Sequence, residues 1–168
     1  MTALTQPPGN PLRPPAHRVS PRARTWWAVR AAAPWLVVTV VVAAALAAAT
    51  GPSAWLVLAS VPLGVGVVHA TVMPRWRFAF HRWEVTPEAV YAQTGWLTRT
   101  RVLIPVSRVQ VIDTVAGPLE RAFGLATLTV TTASSAGTVH VPGLERAVAE
   151  SVATGLTIGV AGDRDDAT

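Results

Sequence analysis

The chain has 168 residues, a formal net charge of +5, no cysteine and no lysine. The missing cysteines exclude a disulfide framework, a thiolate metal site and a cysteine nucleophile. Arg13, Arg18, Arg22, Arg24 and Arg30 precede Ala31 with no acid among them, and arginines and acids balance from Met73 onward. The positive charge thus belongs to an arm and not to a folded domain, so nucleic acid is not an expected partner.

Residues 1–25 are rich in proline (Pro7, Pro8, Pro11, Pro14, Pro15, Pro21) and poor in bulky apolar side chains. Such a segment buries too little surface to offset its conformational entropy, and the expectation is a disordered Pro/Arg-rich cytoplasmic arm. A signal peptide fits poorly, because a long polar stretch precedes the first apolar run and a second run follows directly.

Two uncharged runs come next, from Ala31 to Thr50 and from Ala54 to Met73. Each is about 20 residues, the length that crosses a ~30 Å hydrocarbon core as a helix. The region 26–77 therefore reads as a transmembrane helical hairpin turning at Thr50–Ser53. Trp26, Trp27 and Arg30 at its start and Arg75, Trp76 and Arg77 at its end read as membrane-interface anchors. The turn carries no charge while both outer ends carry arginine, which places both termini in the cytoplasm and the protein in the cell membrane as a multi-pass chain. Gly64 and Gly66 form a small-residue patch suited to close helix packing. His69, the one titratable group in either run, reads first as a histidine near the headgroups and alternatively as a proton relay.

Period-two alternation begins at Phe78. Strands are expected over Phe78–Val85, Ala89–Thr94, Thr98–Ile104, Val106–Val115, Ala126–Ala133 and Thr138–Val141. Gly117–Gly124 reads as a short helix with proline near its start and glycine past its end, with Leu119, Phe123 and Leu125 packing below it. Ser134–Gly137 reads as a turn, and Pro142-Gly143 ends the last strand. A closing helix from Leu144 to about Val160 carries the stripe Leu144, Val148, Val152 and Leu156, and residues 162–168 form a polar tail. The fold class is α+β: the hairpin, then residues 78–161 as a small antiparallel barrel or sandwich capped by the C-terminal helix.

The run RTRVLIPVSRVQVIDTVAGPLERAFGLATLTVTT, from Arg99 to Thr132, resembles the core of the bacterial pleckstrin-homology-like membrane proteins of the YdbS type. The resemblance rests on Ile104, Pro105, Arg108, Val109 and Gln110, then Gly117, Pro118, Leu119, Arg121, Phe123, Gly124 and Leu125, and on Val141–Leu144 before the last helix. It implies a pleckstrin-homology-like (PH-like) fold on the cytoplasmic side. It does not imply a ligand, because fold alone does not set function. The matching residues Pro105, Gln110, Gly117, Pro118, Leu119, Arg121, Gly124 and Leu125 read as structural.

No serine-hydrolase elbow, zinc-protease helix, P-loop or dinucleotide fingerprint is present in the sequence. No catalytic residue, cofactor or metal is expected. His81 and Glu84 are three apart on an expected strand and face opposite sides. Arg99 and Arg101 share one strand face, with Arg108 following, and are candidates for contact with a lipid phosphate or a partner. The leading expectation is a non-enzymatic membrane protein whose domain binds a partner or self-assembles. Its expected partners are membrane lipids and a second copy or a related PH-like subunit. The alternatives are an anionic-lipid or envelope-stress sensor and an accessory subunit of a transporter.

Overall fold

The computed structural model describes residues 14–49, 54–95, 97–132 and 137–165. The expectations for residues 1–13, for the Thr50–Ser53 turn, for residues 133–136 and for the last three residues of the tail lie outside these. A two-residue strand β1 (His17–Arg18) precedes helices α1 (Arg22–Ala49) and α2 (Ala54–Phe80). Strands β2 (Arg82–Val85), β3 (Ala89–Gly95) and β4 (Arg99–Pro105) follow. A 3₁₀ turn (Val106–Arg108) leads into β5 (Val109–Val115), helix α3 (Pro118–Ala122), β6 (Leu125–Thr132), β7 (Thr138–Glu145) and helix α4 (Arg146–Asp165).

Over residues 31–49 of α1 and 54–73 of α2 the helices carry no charged residue and are apolar all round. Only 6% and 11% of their most apolar windows are buried within the chain, which separates them from the core helices of a soluble fold. The hydroxyls of Thr39 and Thr71 donate to the carbonyls of Trp35 and Val67, four residues back, so neither presents an unsatisfied group to its surroundings. Close packing comes from Gly66, where a Cβ would approach Trp35 Cβ to 2.6 Å, whereas Gly64 faces open space.

The strands form two antiparallel sheets, ordered β1-β2-β3-β4 and β5-β6-β7. Alternation explains the core. Val90 and Ala92 of β3, Ile104 of β4, Leu128 and Val130 of β6, and Val139 and Val141 of β7 are buried together. The turn chemistry at α3 follows the sequence: Gly117 is its N-cap and Pro118 its first residue.

Several boundaries differ from the sequence reading, each for a physical reason. The segment from Pro14 to Thr25 is folded, not a free arm: His17 and Arg18 pair with Trp83 and Arg82 of β2. Ser20 accepts a hydrogen bond from the Arg22 backbone N–H at the start of α1, and Pro21 follows it, the residue order that favours a helix N-terminus. Residues 78–80 continue α2, so the strand begins only at Arg82. Arg108 lies in a 3₁₀ turn, because Pro105 ends the β4 pairing. β7 runs through Pro142 and Gly143 to Glu145. Leu144 is therefore a buried strand residue, and the buried face of α4 is Ala149 and Leu156 with Val152 and Ala153, while Val148 is exposed. A strict four-residue stripe drifts around a helix of 3.6 residues per turn, and the core selects the mixed three-and-four spacing instead. α4 extends to Asp165, into the expected tail.

Candidate functional site

The hairpin and the domain meet in a second buried cluster made of Val19, Ala23, Trp26, Trp27 and Leu125, flanked by Phe78, Trp83 and Phe123. Trp26 and Trp27 are thus core residues of this junction and not headgroup-facing anchors. Their signal in the sequence is helical spacing, with Ala23 and Trp26/Trp27 recurring on one face of α1. Of the other expected anchors, Arg30, Arg75 and Trp76 are exposed and Arg77 is half-buried.

Gly143 makes this junction possible. Its φ is +82°, and a Cβ there would lie 2.8 Å from Ala23 Cβ and 3.5 Å from Trp27 Cζ2. Its carbonyl accepts the Ser20 backbone N–H at 2.9 Å, and the Ser20 hydroxyl donates to Glu145 Oε1 at 3.2 Å. The start of α1 is thereby tied to β7, across more than a hundred residues of sequence.

His81, directly after α2, is buried against Trp27 with ring centroids 4.9 Å apart. Its Nδ1 lies 2.8 Å from the Arg77 carbonyl oxygen and its Nε2 accepts the Arg77 Nε–H at 3.3 Å. A carbonyl only accepts, so Nδ1 carries the proton and the ring is neutral. Burial first, and the Arg77 charge second, hold His81 down to about 4. Arg77 in turn lies over the Trp27 ring, 4.9 Å from its centroid.

Arginine on aromatic recurs around the outer ends of both helices. Arg18 and Arg24 lie over Phe78, Arg30 over Trp26 and Arg99 over Phe80. The structure brings Arg99 and Arg101 together on one face of β4, as the alternation predicts, but Arg108 sits beyond the opposite end of that strand and does not join them. Arg101 Nε–H donates to Gln93 Oε1 at 3.0 Å, and buried Gln93 donates through Nε2 to the Phe80 carbonyl at 2.9 Å.

The motif residues fall in two connections, the one from β4 to β5 that links the two sheets and the one through α3 from β5 to β6. Pro105 caps the 3₁₀ turn, and exposed Gln110 falls at the register shift between Val109 and Val111. Gly117 and Pro118 open α3; Leu125 is fully buried, whereas Leu119 and Arg121 are exposed. The contribution of Leu119 to packing below α3 is therefore small. The sequence reading passes over Glu120, which is buried and accepts the Gly117 N–H at 2.9 Å and the Thr127 hydroxyl at 2.7 Å. Its position three residues after an N-cap was the available signal.

Within the hairpin, the Trp35 indole N–H donates to His69 Nδ1 at 3.0 Å. His69 thus ties α2 to α1. On the outside of the domain, β5 pairs with β6 on one side only among the described residues. Its Val111 and Val115 are 48% and 57% exposed.

Comparison with known proteins agrees with this architecture. The bacterial PH domain family matches residues 31–157, a span that includes most of α1, all of α2 and strands β2 to β7. The chain is 39% identical over 90 residues to the UPF0699 transmembrane protein YdbS of Bacillus subtilis (strain 168), covering 53% of this chain and 55% of that one. It therefore spans about half the length of that curated relative. No solved structure matches the chain. Two apolar helices leading into a two-sheet domain closed by a C-terminal helix, with the motif residues in place, make this chain a member of the bacterial PH domain family of the YdbS-like transmembrane type.

Proposed function

We propose that this protein is a non-enzymatic membrane protein whose PH-like domain is an interaction module, held at a fixed attitude to the bilayer and completed by a strand from a partner chain. The observation that carries this reading is the β5 edge. It offers seven residues of backbone with one open side among the described residues, and its exposed side chains include Val111 and Val115. Edge strands are usually blunted by charge or proline. β5 carries a single charged residue, Asp113, and no proline. An extended segment added there gains main-chain hydrogen bonds, and Val111 and Val115 supply apolar contacts on alternate positions. The occupant is a strand of a second copy or of a related PH-like subunit.

The junction described above supports the same reading. A domain fastened through Gly143, Ser20 and Trp27 presents β5 at one height and angle, which lowers the orientational cost of pairing between two membrane-held chains. Both termini are cytoplasmic in this proposal, and a reporter fused after Thr168 is active inside the cell only; activity outside removes that orientation.

The test uses the full-length protein in native membranes, with a photo-crosslinking residue placed at Val115 or, as a control, at exposed Glu150 on α4. Adducts of a defined mass from Val115 and none from Glu150 support strand addition. A chain that is solely monomeric by native mass spectrometry in mild detergent, with no adduct from Val115, overturns it.

A further inference from the structure

We infer that Arg99 and Arg101, together with Trp76, Phe80 and Leu97, form a site for the phosphate of an anionic phospholipid in the leaflet where α2 leaves the membrane. This goes beyond the interaction reading and is independent of the β5 edge.

The geometry starts from the helix. The uncharged run of α2 ends at Met73, and Trp76 and Phe80 follow on one face, four residues apart. Trp76 is therefore just over one helical turn, about 6 Å along the axis, nearer the uncharged run than Phe80. Gln93 pins β3 to the Phe80 carbonyl. Beyond Gln93 the chain reaches Gly95, where φ is +118° and a Cβ would collide with the Thr98 carbonyl oxygen, so the connection to β4 is tight. Trp76, Ala79, Phe80, Leu97 and Arg99 line one cavity of about 480 Å³. Leu97 thus lies on the same side of α2 as Trp76 and Phe80. Leu97 and Trp76 are open, at 74% and 52%. Exposed leucine and tryptophan side by side at the end of an apolar span occupy the headgroup boundary.

The charges are placed for phosphate. The Arg99 guanidinium lies over the Phe80 ring, 4.0 Å from its centroid, and the residue is exposed to solvent. Arg101 is fixed through Nε to Gln93, so its terminal N–H groups remain as donors. Two residues apart on one strand face, the side chains start about 7 Å apart, close enough to converge on one phosphate from two sides. The neutrality of the domain as a whole is misleading at this spot. No Asp or Glu occurs between Glu88 and Asp113 in the sequence. Glu88 and Asp113 themselves lie elsewhere, at the start of the β3 hairpin and on the other sheet. A free acidic protein segment would match the charges but not the flanking, exposed Leu97 and Trp76, whereas a lipid phosphate matches both.

The experiment uses full-length protein extracted with mild detergent and exchanged with mixed phosphatidylglycerol and phosphatidylcholine, bound lipid being read by native mass spectrometry. The wild type retains phosphatidylglycerol in preference to phosphatidylcholine. The double variant R99Q/R101Q loses roughly tenfold or more of that preference, and R108Q behaves as wild type. Equal retention of the two lipids by the wild type overturns the inference, as does an unchanged preference in the double variant. A second measurement does not depend on those variants folding: an environment-sensitive dye on L97C shifts to the blue when the chain is placed in vesicles, and an emission typical of water overturns the bilayer placement. An adduct of an acidic protein at Leu97 in native membranes, with no lipid selectivity, overturns the lipid in favour of a protein occupant.

Discussion

The rings of Trp27 and His81 pack with centroids 4.9 Å apart and join the start of α1 to the residue directly after α2. The contact closes the hairpin at its domain end, and Arg77 lies over the same indole, 4.9 Å from its centroid. Trp27 is 1% exposed, and its indole N–H has no acceptor among the described residues. Packing at this position therefore outweighs an unmade hydrogen bond.

Removing that indole is the most damaging single change expected in the junction. Trp27→Ala is predicted to lower stability by about 3–5 kcal/mol, from lost burial and the cavity left behind. Trp27→Phe costs less, because the unpaired N–H disappears with the larger ring. Thermal unfolding of the full chain in detergent, followed with limited proteolysis between Arg18 and Arg24, measures both.

The pH dependence of stability follows from His81. Its ordinary value is near 6.5 and the folded value about 4, so between the two the unfolded chain binds the extra proton. The stability contributed by keeping the ring neutral is complete above about pH 6.5 and is lost progressively as the pH falls toward 4, on the order of 3 kcal/mol in all. His81→Gln is expected to flatten this slope. A wild-type midpoint of unfolding that does not move between pH 7 and 4.5 contradicts the assignment.

Gly143→Ala tests the link between β7 and α1. The added Cβ meets Ala23 and sits at a positive φ, so the expected cost is about 1–3 kcal/mol, borne by the junction. Hydrogen exchange at the Ser20 amide should rise well before that of the β6 amides, since the Ser20 N–H to Gly143 bond is the one displaced.

Glu120→Ala leaves the Gly117 N–H and the Thr127 hydroxyl without their shared acceptor, at a predicted cost of about 1–3 kcal/mol. Glu120→Gln, which keeps an acceptor oxygen, should retain most of that stability by chemical denaturation. Equal losses for the two variants would show that charge, not the hydrogen bond, is what this connection requires.

Local signals in the chain were enough for much of this architecture. Two uncharged runs of helix-spanning length, period-two alternation through β3, β4 and β6, and Gly117-Pro118 at the start of α3 each act over a few residues, and the structure follows them. Ser20-Pro21 and the Ala23, Trp27 spacing were equally local, yet the proline-rich composition around them pointed to an arm. Composition averages over a segment, whereas a cap and an apolar stripe act at single positions.

Other features depend on which distant residues meet. Trp26 and Trp27 beside an apolar run satisfy the pattern of interface anchors, and only the arrival of Leu125 and Gly143 from the far end of the chain buries them. Arg99, Arg101 and Arg108 form one basic series in sequence, but the 3₁₀ turn after Pro105 sends Arg108 to the opposite end of β4. The Gln93 bridge to Phe80 joins the remaining pair to the helix. The sequence by itself determined that the chain has two spans and a small-sheet domain, because hydropathy and alternation are local. Tertiary structure alone decided how the domain sits on the helices and which arginines face the same surface, because both depend on contacts between residues far apart in the chain.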